Sequence, residues 1–180
     1  MAPFSPLLFL LGLALLPWAQ ASALFAHPTT LRQSGDLVTL VWEGVSQPSQ
    51  YDIIGVYSPV SSPDWAYMSF YNATHSLAWR SGAGQLAVPL ANMRAPYQLR
   101  YLSSPGGNSF KALLNSPIIS FENPNEPTQA HLALGKYPNS MSLMWVSNSS
   151  ATGVVLYGSS SGLYSNKAYA TTHTYSIKDM

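Results

Sequence analysis

Short runs of alternating apolar and polar residues, separated by Gly, Pro, Asn and Ser, recur along most of the chain. Alternation with a period of two places every second side chain on one face of an extended strand. No segment carries the three-to-four-residue apolar spacing of a long amphipathic helix. The first set of runs predicts strands at 37–42, 51–58, 65–71, 76–80, 85–90, 97–103 and 117–121. This spacing is typical of a fibronectin III or immunoglobulin-like β-sandwich.

The segment 122–127, ENPNEP, interrupts the strand pattern. Its prolines and asparagines disfavour both helix and sheet, so they indicate a linker. Beyond it the pattern resumes, predicting strands at 129–134, 141–147 and 153–158. We therefore predict an all-β chain with a sandwich domain at 24–122, a linker at 123–127 and an incomplete second sandwich at 128–180.

The two halves resemble each other weakly. Val38–Trp42 matches Met141–Trp145 in residue type at each position, and Tyr57 and Tyr157 follow in the next strand of each half. The two tryptophans are 103 residues apart, a separation close to the length of one sandwich domain. An internal repeat is one interpretation; the other is that any two β-strands look alike.

The second half is short for a complete sandwich. The 54 residues from Pro127 to Met180 supply only about half of the roughly hundred residues that such a domain needs. Strands without their partner sheet expose an apolar face and open edges. We expect a truncated chain whose C-terminal third is unstable alone, which limited proteolysis would test.

The N-terminus resembles a secretion signal. Residues 7–16, LLFLLGLALL, form an uncharged apolar run, followed by the small-x-small sites Ala19-Gln20-Ala21 and Ala21-Ser22-Ala23. The run is too short to span a bilayer, and its flanks fit a cleavable signal peptide over residues 1–23. A buried N-terminal helix is the alternative. We expect a protein secreted to the extracellular space or cell wall, or delivered to the vacuole, without a membrane anchor after cleavage.

Composition narrows the classes of partner and stabilising device. Charged residues make up 8% of the chain and hydrophobic ones 47%, with a net charge of +1 and no cysteine. Scattered Lys and Arg provide no basic stripe, so nucleic acid is not expected as a partner. Disulfides and thiolate metal sites are excluded, and stability has to come from an apolar core.

The residue types that carry catalysis occur without a recognisable motif. The four histidines lie more than forty residues apart, which is not the spacing of a local metal site. His131 is expected to be a surface or packed side chain, and His173 would require a site completed by missing sequence. Glu122 and Glu126 flank the linker prolines, and we expect them to be solvated charges.

Glycine-containing and serine-containing motifs are equally uninformative. Gly35-Asp36 precedes a predicted strand, so it indicates a turn rather than the strand end of a metallophosphatase. Serines are plentiful, but none lies on the strand-to-helix turn that a nucleophile elbow requires, so a serine hydrolase is not expected. The segment Ser104–Asn108 lacks the lysine and helix of a phosphate-binding loop and predicts a hairpin. No catalytic, cofactor-binding or metal-binding residue is predicted.

Two Asn-x-Ser/Thr sequons are the predicted modification sites. They are Asn72-Ala73-Thr74 and Asn148-Ser149-Ser150, each at the end of a predicted strand. In an exported chain, N-glycosylation is predicted at Asn72 and Asn148.

Aromatic residues are expected to serve mainly the fold. Trp65, Tyr67 and Phe70-Tyr71 are predicted to pack in the core or at its end, with a carbohydrate-binding face as the alternative. Tyr97, after Leu90 and Pro96, has the setting of a tyrosine corner.

Several strings resemble a known family. YDIIGVYSP (51–59), NMRAPYQLRY (92–101), ENPNEPTQAHLAL (122–134), MSLMWVS (141–147), VVLYG (154–158) and TYSIKDM (174–180) resemble purple acid phosphatases. The similarity is to the larger plant and algal members, which carry an extra fibronectin-like domain ahead of the usual N-terminal one.

The resemblance implies a parent enzyme that hydrolyses phosphate monoesters with a dinuclear centre of iron and a second divalent metal, which is zinc, manganese or iron. The family ligands lie in Gly-Asp-x-Gly, Gly-Asp-x-x-Tyr, Gly-Asn-His-Glu/Asp and Gly-His-x-His motifs of a C-terminal metallophosphoesterase domain. None of these motifs occurs here, so no family site residue is carried over and this chain alone is predicted to be inactive and without a cofactor. Its implied partners are its own missing catalytic domain and a second copy in a homodimer.

Two hypotheses follow. The first is a non-catalytic N-terminal part of a secreted purple acid phosphatase. The second is a secreted fibronectin-like binding or adhesion module, which the low charge and the aromatic residues at 65–71 would suit.

Overall fold

A computed structural model describes residues 21–107 and 109–174. In this part of the chain thirteen strands and two short 3-10 turns form, which confirms the all-β prediction. Residues 1–20 of the predicted signal peptide lie outside the described residues. The strands are β1 (Ala23–His27), β2 (Thr30–Leu31), β3 (Leu37–Glu43), β4 (Ile53–Tyr57), β5 (Ser69–Asn72), β6 (Gly84–Pro89), β7 (Gln98–Ser103), β8 (Lys111–Asn115), β9 (Ser120–Phe121), β10 (Thr128–Leu134), β11 (Met141–Val146), β12 (Val154–Tyr157) and β13 (Asn166–Tyr169).

The first nine strands form a sandwich, called here the first unit. One sheet has the order β1-β3-β6 and the other β5-β4-β7-β8, and a short parallel pair, β2-β9, closes one edge. Trp42 from the first sheet meets Tyr101 from the second with 5.8 Å between ring centroids. Both side chains are fully buried, so this contact lies in the core between the sheets. The finer fibronectin-like assignment stays a prediction.

Alternation in β3 explains why it was predicted correctly. Val38, Leu40 and Trp42 are buried while the residues between them are exposed, as expected for a strand with one face on the core. β4 differs because all five of its residues are buried. Its inner face meets the core, and its outer face, with Ile53 and Tyr57, is covered by a second small cluster that includes Tyr67 and Phe110.

The predicted tyrosine corner is confirmed. The Tyr97 side chain is buried, and its hydroxyl donates a hydrogen bond of 2.8 Å to the Ala91 carbonyl. Burial raises the pKa of Tyr97. The bond fixes the loop between β6 and β7, which carries Asn92 and Arg94.

Residues from 127 onward, called the second unit, form two hairpins: β10 pairs with β11, and β12 pairs with β13. The pairs β1–β3 and β4–β5 of the first unit are antiparallel as well; the internal repeat stays a prediction. Leu132, Leu134, Met141 and Met144 are among the large apolar side chains exposed here. The two hairpins thus leave much of their apolar surface open to solvent.

Three predicted strands are wrong in whole or in part, and of the run 117–121 only Ser120 and Phe121 form a strand, β9. Residues 76–80 do not form a strand: they lead into a 3-10 turn at Trp79–Ser81 that ends at Gly82 in the left-handed region. The run is too short to establish a strand period, and Gly82 closes the turn instead. At 65–71, only the last residues enter β5, because the Ala66 N–H donates to the Pro63 carbonyl and keeps the preceding residues in a turn.

Several strands were not predicted. β8 consists of Lys, Ala, Leu and Asn, which are weak strand formers, and its pairing with β7 decides its conformation. β13 is similarly polar. β1 begins at Ala23, the last residue of the predicted signal peptide, and pairs with β3.

Candidate functional site

The histidines do not converge on a site. His27, His75, His131 and His173 are all exposed, and the ring of His131 lies 3.0 Å from the Gln129 carbonyl oxygen through Nδ1. Among residues 21–107 and 109–174, no three His, Cys, Asp or Glu side chains come together to hold a metal ion. A dinuclear metal centre therefore does not fit the described residues.

The two loop predictions agree with the structure. The carboxylate of Asp36 accepts hydrogen bonds from the backbone N–H groups of Arg32 and Gln33, at 2.9 and 3.1 Å, which makes Gly35-Asp36 part of a turn. The segment after β7 leads directly into the antiparallel strand β8, as expected for a hairpin.

An open depression of about 540 Å³ lies at one end of the β3–β6 pair and was not predicted. Glu43, His75 and Ser76 line it together with Trp42. Ser76 Oγ accepts a hydrogen bond from the Gln85 N–H at 3.1 Å, so it is held by the backbone. No ion pair joins Glu43 to His75 in the described part of the chain. Among the described residues, no hydrogen bond or ion pair joins two of the acidic, basic or hydroxyl side chains that line this depression.

Asp52 is a fully buried carboxylate with a structural role. It accepts hydrogen bonds from the Tyr101 hydroxyl at 2.8 Å, the Ser104 N–H at 2.9 Å and the Ser49 N–H at 2.8 Å. Burial, and then the bond to Asp52, raises the pKa of Tyr101. With both carboxylate oxygens occupied and no exposure, Asp52 is satisfied as a hydrogen-bond acceptor and unavailable to substrate.

Arg100 anchors the loop between β4 and β5 from beneath. Its guanidinium forms a 3.0 Å ion pair with Asp64 and donates to the carbonyls of Val60 and Ser62. It also lies over the Tyr57 ring, 4.0 Å from the centroid. Both residues are buried, so this cluster fixes the loop against the outer face of the four-stranded sheet.

The Tyr57 phenol gives a testable pH dependence. Burial raises its pKa to about 12, opposed in part by Arg100. Its pKa in the unfolded chain is about 10. The folded state favours the neutral phenol, so the stabilisation is complete below pH 10 and falls as pH rises towards about 12. We expect the free energy of unfolding, measured by urea denaturation, to fall between pH 9 and pH 11 in the unsubstituted chain. The fall should be smaller in Tyr57→Phe. An equal loss in both proteins would contradict this.

The aromatic segment 65–71 only partly follows its prediction. Tyr67 and Tyr71 are half-buried against the two apolar clusters, as expected. Trp65 is 79% exposed and Phe70 51% exposed, so core packing is wrong for these two. The reason is that β5 is the edge strand of its sheet and the 65–68 turn runs outside it.

Both sequon asparagines have exposed side chains. Asn72 ends β5, and Asn148 lies two residues after β11. Glycosylation at Asn72 and Asn148 stays a prediction that this geometry permits.

A polar cluster between the two units is the site that sequence reasoning missed. Its centre is Glu126, predicted to be a solvated charge. The two oxygens of its carboxylate accept the Ser34 N–H at 3.0 and 2.8 Å, and one of them also accepts Asn92 Nδ2 at 3.1 Å. The solvated-charge prediction is wrong for Glu126, because its partners come from loops up to 92 residues away in sequence. Glu122 is exposed, as predicted.

Asn92 connects this carboxylate to the sandwich. Its side chain is buried, and Nδ2 also donates to the Asn123 carbonyl at 2.9 Å. Its backbone N–H donates to Ser34 Oγ at 3.0 Å. The tyrosine corner holds the adjacent Ala91 carbonyl. Asn92 is therefore placed by the fold of the first unit and grips the linker with its side chain.

Arg94 extends the same cluster into the second unit. Its guanidinium donates to Thr128 Oγ1 and to the Val146 carbonyl, each at 3.0 Å. Its backbone has a φ of 62°, and its N–H donates to Asn92 Oδ1 at 3.0 Å, which stabilises this left-handed conformation. We call Ser34, Asn92, Arg94, Glu126 and Thr128 the joint.

Replacing Glu126 by glutamine is expected to loosen the joint. The amide keeps one acceptor but turns an NH₂ group towards the N–H donors of Ser34 and Asn92. Losing about 1.4 kcal/mol of charge-assisted hydrogen bonding would increase the open population about tenfold. Proteinase K should then cleave within 123–127 about tenfold faster. Glu122→Gln, in the same segment but exposed, is the matched control; equal rates for the two variants would contradict the role of Glu126.

None of the helical turns in the described residues is long and apolar enough to cross a membrane.

Comparison with known proteins gives a consistent family relationship. Residues 127–180 match the family model described as the N-terminal domain of purple acid phosphatase. From Arabidopsis thaliana, probable inactive purple acid phosphatase 9 is 30% identical over 169 residues, covering 85% of this chain and 26% of the relative. Probable inactive purple acid phosphatase 1 is 32% identical over 145 residues, covering 68% and 23%. The chain thus spans about a quarter of the length of these relatives.

The fold is shared with a solved structure. Purple acid phosphatase PPD1 from yellow lupin (Lupinus luteus) seeds superposes with a TM-score of 0.61 at 23% identity, over 76% of this chain and 31% of that one. This similarity concerns the fold. Together with the family match and the two relatives, it confirms the resemblance seen in the sequence: the chain corresponds to the N-terminal region of the purple acid phosphatases.

Proposed function

We propose that this chain is the non-catalytic N-terminal part of a secreted purple acid phosphatase, and that it holds the following domain in a fixed orientation. The joint is the observation that carries this role. The matched family segment begins at residue 127, directly after Glu126. The hydrogen bonds of Glu126 and Arg94 therefore connect the sandwich to the start of that segment.

The exposed apolar side chains of the second unit support a covering partner. Leu132 pairs with Leu143 and Leu134 with Met141 across β10 and β11, which places all four on one face. Burying such a face removes apolar surface from water at about 25 cal/mol per Å². We propose that the partner is the rest of the parent protein, including its catalytic domain. A second copy of the chain is the competing occupant, and the oligomeric state in solution separates the two.

The parent's activity is a further part of the proposal. It would hydrolyse phosphate monoesters with a dinuclear centre of iron and zinc, manganese or iron, built outside this chain. Both curated relatives are named as probable inactive, so the parent's activity needs its own measurement. Export rests on the sequence pattern of residues 1–23.

The test compares the 180-residue chain with the parent. Assays with p-nitrophenyl phosphate and added iron, zinc or manganese should show no turnover above buffer for the chain alone, because no metal-binding set was found among its described residues. Metal-dependent turnover by the chain would overturn its non-catalytic role. The full transcript should encode the family motif Gly-Asp-x-Gly; a transcript without it would favour the binding-module hypothesis.

The orienting role has a separate readout. In the parent, Glu126→Ala should broaden the distribution of interdomain distances measured by small-angle X-ray scattering, whereas Glu122→Ala should leave it unchanged. A distribution unaffected by Glu126→Ala would contradict the role assigned to the joint.

A further inference from the structure

On the edge strand β5, the exposed aromatic ring of Phe70 lies on the same face as the sequon asparagine Asn72. The Phe70 ring is half exposed, and Asn72 follows two residues later in the same strand. Because side chains alternate along a strand, the two lie on the same face, about 6.6 Å apart along the strand. Both belong to the stretch Phe70-Tyr71-Asn72-Ala73-Thr74, which contains the sequon.

The Phe70 ring is held in place although it is exposed. Its cross-strand partner on β4 is Gly55, which has no side chain to cover it. Tyr67 packs edge-on against the ring at 5.6 Å between centroids and 73° between planes. Tyr67 in turn packs against Phe110 at 6.2 Å. This leaves Phe70 as a supported aromatic surface, partly open to solvent, beside Asn72.

The Asn72 carboxamide is available for modification. Asn72 has φ −67° and ψ 132°, and it precedes a 3-10 turn without capping that turn through its side chain. Buried Ala73, whose N–H donates to the Asp52 carbonyl at 2.9 Å, anchors the next residue. The amide is thus exposed at the end of a strand whose backbone is fixed on both sides.

We propose that the first N-acetylglucosamine attached to Asn72 packs its apolar C–H face on the ring of Phe70, so that the chain's own glycan covers this aromatic surface. In the attachment, the Asn72 amide nitrogen forms a bond to C1 of the sugar and loses a proton. The bond from C1 to the pyrophosphate of a lipid-linked oligosaccharide donor breaks, and the lipid pyrophosphate leaves. This inference rests on the export included in the proposed function. The contact removes apolar surface of both ring and sugar from water.

The second sequon provides an internal contrast. The residue two positions before Asn148 is Val146, an aliphatic side chain at the end of β11. Asn148 itself lies beyond the strand, so strand alternation does not place the two on one face. A sugar at Asn148 therefore has no aromatic partner at the equivalent position, and its effect on stability should not depend on Phe70.

The experiment uses the full chain secreted from eukaryotic cells behind a heterologous leader peptide. The test therefore does not depend on whether the native signal directs secretion. Glycans are trimmed to a single N-acetylglucosamine, and mass spectrometry gives the occupancy at each asparagine. Tm is then measured for the glycosylated chain and for Asn72→Gln, which lacks the sugar at this position. The same pair is measured with Phe70→Val added to each. We expect the sugar at Asn72 to raise Tm by about 4 °C when residue 70 is Phe and by about 0 °C in Phe70→Val.

The controls distinguish a specific contact from a general glycan effect. The change in Tm caused by Asn148→Gln should be the same whether residue 70 is Phe or Val. If Phe70→Val does not fold, NMR of the unsubstituted glycosylated chain provides the test. An upfield ring-current shift of the sugar protons supports the contact, and unshifted protons overturn it. An unmodified Asn72 in the secreted chain, or a Tm increment unchanged by Phe70→Val, also overturns the proposal, whereas phosphatase assays on the parent test the family role separately.

Discussion

Replacing Gly82 by alanine should destabilise the first unit by about 3 kcal/mol, from backbone strain and overpacking together. Gly82 has a φ of +74°, and an added Cβ would fall on the carbonyl oxygen of Val45. That oxygen belongs to the backbone, and the Val45 N–H already donates to the Gly82 carbonyl at 3.0 Å. Neither partner can move without breaking this bond. Urea denaturation followed by tryptophan fluorescence measures the loss.

Gly35→Ala is the matched control for this substitution. Gly35 also has a positive φ, +92°, but an added Cβ would meet no atom within 4 Å. Only the backbone strain of a left-handed alanine remains, about 1 kcal/mol. If the two variants lost the same free energy of unfolding, steric overlap with Val45 would not be the cause.

Asp52→Ala should cost about 3 kcal/mol or more, because it leaves buried donors without an acceptor. The Tyr101 hydroxyl and the backbone N–H groups of Ser49 and Ser104 all donate to this carboxylate. Asp52→Asn, which keeps one carbonyl acceptor, should lose less. The free energy of unfolding at pH 7, from urea denaturation, gives both values.

Asp36 supplies the comparison for Asp52. It too accepts two backbone N–H groups, but in a half-exposed turn where water can replace it. Asp36→Ala should cost about 1 kcal/mol. Equal losses at Asp36 and Asp52 would mean that burial contributes nothing to the effect.

The parts of the fold that could be predicted from sequence are those with strong local signals. β3 was predicted because its apolar residues alternate, and Tyr97 because a tyrosine after Pro96 at a strand start has a defined local geometry. β8 could not be predicted, since its strand conformation comes from pairing with β7 rather than from its own residues. The exposure of Phe70 likewise depends on Gly55 in the neighbouring strand.

The joint could not be predicted for a related reason. Glu126 resembles any charged linker residue until the β2–β3 turn brings Ser34 against it. Asn92 resembles an ordinary loop asparagine until Asn123 and Glu126 surround its amide. Contacts between residues 31 to 92 positions apart leave no periodic trace in a single sequence.

In the loop between β6 and β7, the Tyr97 hydroxyl holds the Ala91 carbonyl, and the adjacent Asn92 side chain holds the linker through the Asn123 carbonyl. In the orienting role that we propose for the joint, this loop is the pivot between the two units. A small rotation at Glu126 produces a displacement that grows in proportion to the distance from it. The few hydrogen bonds of the joint would thus limit how far the distant parts of the second unit can move. Loss of one of these bonds would cause a larger displacement far from the joint than close to it.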